Sequence, residues 1–256
     1  MKPIIIKVGG ALLDCDVGIE RLFTTLVELK QADWQPVLVH GGGLLVDQHL
    51  TAHGFTTSKH QGLRVTPAEQ IPVVAAALAG GANSTLVAAA IAAGLTPVGL
   101  SLADGGMTTA VQMNEVLGMV GEVEPANAAL PENLLALGMM PIICSIAVNN
   151  NGQRLNVNAD QAATALCQLL KAPLVLLSDV SGVLDGKGKL IPNLGPELAA
   201  TLIEQGIIEG GMQVKVDSAL AAAKAINNRV LVASWRYPEQ LAGLVRGEPV
   251  GTVVEA

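Results

Sequence analysis

Aromatic side chains are nearly absent from this chain of 256 residues: Phe23, Phe55, Trp34, Trp235 and Tyr237 make up 2% of it. The stacking platforms that hold single-stranded nucleic acid are therefore missing. Charge is scarce as well. Asp, Glu, Lys and Arg account for 14% of residues, against roughly 25% in ordinary soluble domains. The net charge of −7 excludes an electrostatic hold on a phosphate backbone. Three cysteines, Cys15, Cys144 and Cys167, lie far apart with no C-x-x-C spacing, which excludes a disulfide framework and a zinc site of that type. The histidines His40, His49, His53 and His60 have no acidic partner in H-E-x-x-H spacing, so the helical zinc motif is excluded too. Neither G-x-x-x-x-G-K-[ST] nor G-x-G-x-x-G occurs, which removes the P-loop and the dinucleotide fingerprint.

What remains is aliphatic. Half of the chain (50%) is hydrophobic, enough for a large core of Ala, Val, Leu and Ile, and disorder is excluded. Residues 70–103 and 133–153 carry no charge and are long enough to span a bilayer. Gly80, Gly81, Asn83, Ser84, Thr85, Gly94 and Pro97 break the first run, Gly138 and Pro141 the second. Interfacial aromatic anchors and flanking basic clusters are also lacking. Both runs read as buried elements of a soluble α/β protein. The apolar stretch at the N-terminus is too short for a signal peptide, so a cytoplasmic protein is expected.

Short β-branched runs alternate with Ala/Leu-rich helical stretches. Strands are predicted at 3–8, 36–40, 96–100, 139–148, 173–178 and 229–234, with helices at 17–32, 43–53, 67–80, 84–93, 127–138, 159–171, 196–205, 212–227 and 238–246. Continuous apolar strands such as Ile4-Ile5-Ile6 are the mark of parallel strands buried on both faces. The order predicts a three-layer αβα sandwich around a mainly parallel open sheet. Segments 55–65 and 107–120 read as inserted β-hairpins. The best seam is Lys171-Ala172-Pro173, dividing the chain into lobes 1–172 and 173–256.

Ligands of open α/β sheets bind beyond the C-terminal strand ends. Those ends read Lys7-Val8-Gly9-Gly10, His40-Gly41-Gly42-Gly43 and Asp179-Val180-Ser181-Gly182-Val183-Leu184, and later Glu209-Gly210-Gly211-Met212-Gln213-Val214-Lys215. Glycine lets backbone N–H groups approach an anion, and a helix N-terminus adds partial positive charge. One such turn is often only a tight connection, but several converging on one sheet edge ask for phosphate. Lys7 closes an apolar strand; it reads as a strand-end charge or as a phosphate partner. Lys215 falls in the first turn of the predicted helix, where a cation opposes the dipole and wants a local anion; a solvated helix face is the alternative. Arg64, on the return strand of a hairpin, could clamp a carboxylate bidentately or sit exposed. In Asn156-Val157-Asn158-Ala159-Asp160 the alternation puts Asn156 and Asn158 on one side, and Asn158 can cap the helix that follows.

Taken in order, Lys7-x-Gly9-Gly10, His40-Gly41-Gly42-Gly43, Gly62-Leu63-Arg64-Val65-Thr66, Asn156-Val157-Asn158-Ala159-Asp160, Asp179-Val180-x-Gly182-Val183 and Gly210-Gly211-Met212-x-x-Lys215 resemble the amino acid kinase family. Within it they are similar to the members that phosphorylate N-acetyl-L-glutamate. The resemblance implies that lobe 1–172 binds the acyl amino acid and forms a homodimer, and that lobe 173–256 binds ATP. It implies that Lys7 and Lys215 neutralise the phosphoryl group, that Asp160 orients both lysines, and that backbone N–H groups of Gly10, Gly42 and Gly43 hold oxygens. Arg64 and Asn156 would hold the substrate, and Lys59 would approach the site. Asp179, Val180, Ser181, Gly182, Val183, Leu184, Ile207, Ile208 and Glu209 would line the nucleotide cleft. Mg²⁺ would arrive on ATP, with no metal ligand from the protein.

The implied product is an acyl phosphate on the route to arginine. A kinase of this family acting on another small carboxylate or phosphate substrate, and a non-catalytic ligand sensor on the same scaffold, are the alternatives; nucleic acid and membrane partners are not expected. The Ala-rich stretch 71–93 is the natural dimer surface. With no helix ahead of the first strand, an arginine-insensitive dimer is expected. With so few aromatics, the adenine slot is expected to be aliphatic, drawn from Val180, Leu184 and Ile207.

Overall fold

The computed structural model describes residues 2–241, 243, 248 and 250–255. The strands are β1 (Lys2–Val8), β2 (Trp34–His40), β3 (Ser58–His60), β4 (Leu63–Val65), β5 (Pro97–Ser101), β6 (Thr108–Gln112), β7 (Val120–Pro125), β8 (Met140–Cys144), β9 (Ile146–Val148), β10 (Arg154–Val157), β11 (Leu174–Ser178), β12 (Asn193–Leu194), β13 (Val230–Ser234) and β14 (Thr252–Val254). The helices are α1 (Gly10–Leu13), α2 (Asp16–Gln31), α3 (Gly43–Ala52), α4 (Ile71–Ala75), α5 (Asn83–Ala92), α6 (Ala129–Ala136), α7 (Ala159–Leu170), α8 (Pro196–Glu204) and α9 (Gly210–Ile226). Of the helix predicted at 238–246, Pro238–Gln240 is a short 3₁₀ turn, and residues 242 and 244–246 lie outside the described residues.

Eight strands form the central sheet in the order β12-β14-β13-β11-β1-β2-β8-β5. All neighbours in it are parallel except β13 and β14. Strand parity builds the two outer layers. Ile5, Val37, Val39, Ile143, Leu174 and Val232 face one core, beneath α7 and α9. Ile4, Ile6, Val8, Leu38, Ile142, Val175 and Leu231 face the other, beneath α2 and α5. The three-layer αβα architecture is thus present. Both halves of the chain share one sheet, since β1 pairs with β11 across the sequence seam.

Chain order along the sheet reverses at β1. The strands that follow it lie on the β2 side, and the chain then crosses back to place β11 and β13 on the other. The C-terminal ends of β1 and β11 therefore flank a topological switch point, where open sheets bind ligands. Local chemistry sets the helix that opens there: the Asn158 side chain accepts from the Asp160 and Gln161 amides, capping α7.

Three elements differ from the sequence reading. The strand predicted over 139–148 is two strands, because the chain turns at Ser145 and leaves the central sheet. β9 joins a four-stranded sheet of order β6-β7-β10-β9, so the hairpin predicted at 107–120 is half of a larger element. The run 155–158, given no element of its own ahead of the helix predicted at 159–171, is mostly strand β10. The helices predicted at 67–80 and 84–93 are one continuous helix, Ile71–Ala92, whose stretch Ala76–Ala82 is wound as a π-helix. The helix continues through Gly80 and Gly81. By length and composition this helix could cross a membrane; here it packs on α2, α3, β5 and β8.

Candidate active site

Two cavities meet at the switch point. The first, about 230 Å³, lies over the ends of β1 and β2 and is lined by Lys7, Gly10, Gly42, Gly43, Lys59, Arg64 and Asn156. The second, about 270 Å³, lies over β1, β11 and β13 and is lined by Asp179, Lys215, Ser218 and Trp235. Lys7, Gly9, Gly10 and Asp160 border both. The predicted acyl-amino-acid residues thus line the first cavity, Lys215 lines the second, and Lys7 stands at their border.

Lys7 is the only charged side chain within an otherwise apolar strand end. Strand parity turns it toward the α7 face, where its Nζ lies 2.8 Å from Asp160 Oδ1. Asp160 is in the first turn of α7, so the helix dipole favours its charge. Lys215 pairs instead with Asp179 Oδ1. The resemblance implies that Asp160 orients both lysines; in this structure it pairs with Lys7, and the pair at Lys215 is with Asp179. One correction concerns the helix. α9 starts at Gly210, so Lys215 sits in its second turn, where the dipole argument weakens. Asp179 supplies the anion, and hydrogen bonding from Lys215 holds its carboxyl below the usual carboxylate range. The Lys215–Asp179 pair is 38% and 51% exposed, so exchanging Asp179 for an incoming phosphate would cost little.

The glycine turns abut. A Cβ on Gly10 would lie 3.0 Å from the Gly43 nitrogen, and one on Gly42 would meet Leu78 at 2.9 Å. Side chains would close the space in which backbone amides line the cavity. Arg64 reaches the cavity from the β3–β4 hairpin, as Lys59 does. Its guanidinium forks onto both carboxylate oxygens of Asp47 and also donates to the Gly43 carbonyl at 2.9 Å. Arg64 in turn lowers the pKa of Asp47, chiefly through this hydrogen bond. Asn156 donates from Nδ2 to Thr66 Oγ1 at 3.1 Å.

The predicted nucleotide residues divide. Asp179 lines the second cavity. Ser181, Leu184 and Glu209 are exposed, and Val180 and Ile207 are half-buried. Gly182, Val183 and Ile208 are buried, with Val183 and Ile208 in the core beneath α7 and α9. The side chains of these last two pack into the core. The Val183 amide is itself taken, donating to Thr252 Oγ1 at 2.8 Å. The wall of the second cavity includes an aromatic ring, Trp235, with the Arg236 guanidinium 4.8 Å from its centroid.

Sequence reasoning missed Asp47, Thr66 and Trp235. Asp47 lies four residues after Gly43, one turn into α3, and that spacing from a glycine turn was its only signal. Thr66 stands in the run 62–66 and Trp235 among the few aromatics, but neither takes a role from the sequence alone, because their partners are distant in sequence. Cys144 and Cys167 are buried, their thiols raised by burial to about 11 and about 12, which makes them inert packing groups. Among the described residues no cluster of three or more His, Cys, Asp or Glu could hold a metal ion.

Comparison with known proteins agrees with this geometry. The model of the amino acid kinase family matches residues 2–234. The chain belongs to the amino acid kinase family. Its curated relatives in that family include the acetylglutamate kinase of Shewanella amazonensis, 54% identical over 254 residues, covering 99% of this chain and 97% of the relative. That of Shewanella halifaxensis is 54% identical over 256 residues, covering 99% and 94%. Among solved structures, smu.665 of Streptococcus mutans matches with a TM-score of 0.83 at 27% identity, covering 99% of this chain and 98% of that one. N-acetylglutamate synthase of Neisseria gonorrhoeae, complexed with coenzyme A and N-acetyl-glutamate, matches with a TM-score of 0.84. At 23% identity, over 100% of this chain and 59% of that one, that likeness is one of fold. The amino acid kinase fold is therefore the fold of this chain.

Proposed function

We propose that the chain transfers the γ-phosphoryl group of ATP to the side-chain carboxylate of N-acetyl-L-glutamate, giving N-acetyl-L-glutamyl 5-phosphate for arginine biosynthesis. The names of the relatives give the substrate. The observation that carries the mechanism is the pair of cavities joined at Lys7, Gly10 and Asp160.

In this reading residues 1–172 supply the acyl-amino-acid cavity and residues 173–256 the nucleotide side. Arg64, held by Asp47, and Asn156, held by Thr66, anchor the substrate so that its side-chain carboxylate points to Lys7. ATP lays its phosphates along Asp179 and Lys215, with its base toward 180–184 and 207–209. The acceptor carboxylate has an intrinsic pKa of about 4.3, so it is ionised at neutral pH and needs no general base. The barrier is electrostatic, two anions brought together, and positioned cations and amides lower it. Lys7 neutralises the carboxylate side, Lys215 the nucleotide side, and the amides of Gly10, Gly42 and Gly43 take the remaining oxygen charge. Asp160 keeps Lys7 aimed.

The carboxylates bordering the junction, Asp160 and Asp179, are each paired with a lysine, so the donor set suits Mg²⁺ carried on ATP phosphates better than a protein-held ion. Bound there, Mg²⁺ would screen phosphate charge. The exposed apolar side of the helix Ile71–Ala92, with Ile91 60% exposed, fits a homodimer contact. A cytoplasmic location fits the composition.

Hydroxylamine trapping tests the reading. With ATP and N-acetylglutamate the protein forms a hydroxamate, and with free glutamate far less. Equal turnover of both substrates, or none of either, overturns it.

A further inference from the structure

His40, the last residue of β2, is fully buried, and Asn83, just beyond the π-helical stretch, is nearly so. Asn83 Nδ2 lies 2.9 Å from the Ile142 carbonyl oxygen and 3.0 Å from His40 Nε2. A carbonyl only accepts, so the amide nitrogen must face it, and its second hydrogen points at Nε2. Nε2 therefore accepts. The ring proton sits on Nδ1, which donates to the Gly41 carbonyl at 2.9 Å. A second ring proton would set one N–H against another. Both ring nitrogens are thus satisfied in one neutral tautomer.

This bond lies one peptide from the chemistry. The Gly41 carbonyl and the Gly42 N–H belong to the same planar, trans unit and point in opposite directions. Fixing one fixes the other. Glycine has no side chain to hold that plane, and Gly41 and Gly42 both line the first cavity. Leu78 of the π-helical stretch lies 2.9 Å from where a Cβ on Gly42 would stand and lines the same cavity, and π-turns recur at functional sites.

We propose that His40 is a positioning residue for phosphoryl transfer: with Asn83 it locks the Gly41–Gly42 peptide so that the Gly42 amide faces the reacting oxygens. This rests on the kinase reading above. Asparagine places its amide N–H where Nδ1 stands, whereas glutamine reaches only the Nε2 position. His40→Gln and His40→Leu should lower kcat about 10- to 100-fold, short of or equal to the loss of one preorganised donor, with KM for ATP within about threefold of wild type. His40→Asn should recover most of kcat.

Equal kcat in folded His40→Gln, His40→Leu and wild type overturns the proposal, as does failure of folded His40→Asn to exceed His40→Gln. If the variants do not fold, two-bond ¹H–¹⁵N spectra of the wild-type ring decide: Nδ1–H with unprotonated Nε2 at pH 7 supports it, and the other tautomer or an imidazolium overturns it. A wild-type protein that forms no hydroxamate from N-acetylglutamate refutes the kinase reading instead, and the ring spectrum is independent of that result.

Discussion

Acid should destabilise this protein through one histidine. Burial pushes the His40 pKa from 6.5 down to about 4, the opposing Gly41 hydrogen bond recovering little. Its folded-state pKa lies below its unfolded value, so between pH 6.5 and pH 4 the unfolded chain binds a proton that the folded chain refuses. Stability is therefore full above pH 6.5 and falls as pH drops through that window. Each tenfold step in proton affinity is about 1.4 kcal/mol, so the whole fall amounts to about 3 kcal/mol, most of it expended by pH 4.5. Urea unfolding of wild type and His40→Asn at pH 7.5 and pH 4.5 isolates the effect, because the carboxylates contribute equally to both proteins. Wild type should lose about 2.5 kcal/mol more than the variant over that interval. Losses equal to within about 0.5 kcal/mol, comparable to extrapolation error, would refute the argument that His40 is locked neutral.

The remaining predictions concern the site. Lys7→Ala and Lys215→Ala should each lower kcat by at least about 100-fold in an ADP-release assay; unchanged turnover in either variant removes that lysine from the proposed chemistry. Asp47→Asn loosens the Arg64 fork, so KM for N-acetylglutamate should rise about tenfold with kcat nearly preserved; steady-state kinetics showing only a kcat loss would argue that Arg64 is not a ground-state anchor. Gly118→Ala places a Cβ 2.4 Å from the Thr66 carbonyl at φ +68°, and thermal unfolding should report a loss of about 2–3 kcal/mol. Ile91→Glu should convert a dimer to a monomer in light scattering, while a wild-type monomer at micromolar concentration would reject the helix Ile71–Ala92 as the dimer contact.

Much of the fold was legible because its signals are local. Continuous apolar runs marked the parallel strands β1, β2 and β11, since burial on both faces leaves no room for polar alternation. Glycine turns at their ends marked the ligand edge. Gly80 and Gly81 misled, because propensity penalises glycine in a helix while packing against Leu45 and the Gly42 turn carries the helix through a π-turn. Ser145 split a predicted strand for a tertiary reason: its amide donates to the His40 carbonyl while its own carbonyl accepts from Val157.

By itself the sequence determined the α/β class, the αβα layering, the glycine-lined edge and the scarce cations that serve it, because periodicity and residue type are properties of the chain alone. Only the tertiary structure decided who partners whom. It gave Asp160 to Lys7 and Asp179 to Lys215, set Asp47 behind Arg64, buried Val183 and Ile208, brought Trp235 to the second cavity, and put Asn83 against His40. Those pairings join segments from 17 to more than 150 residues apart, and their distances follow from strand order and helix packing, which no local pattern encodes.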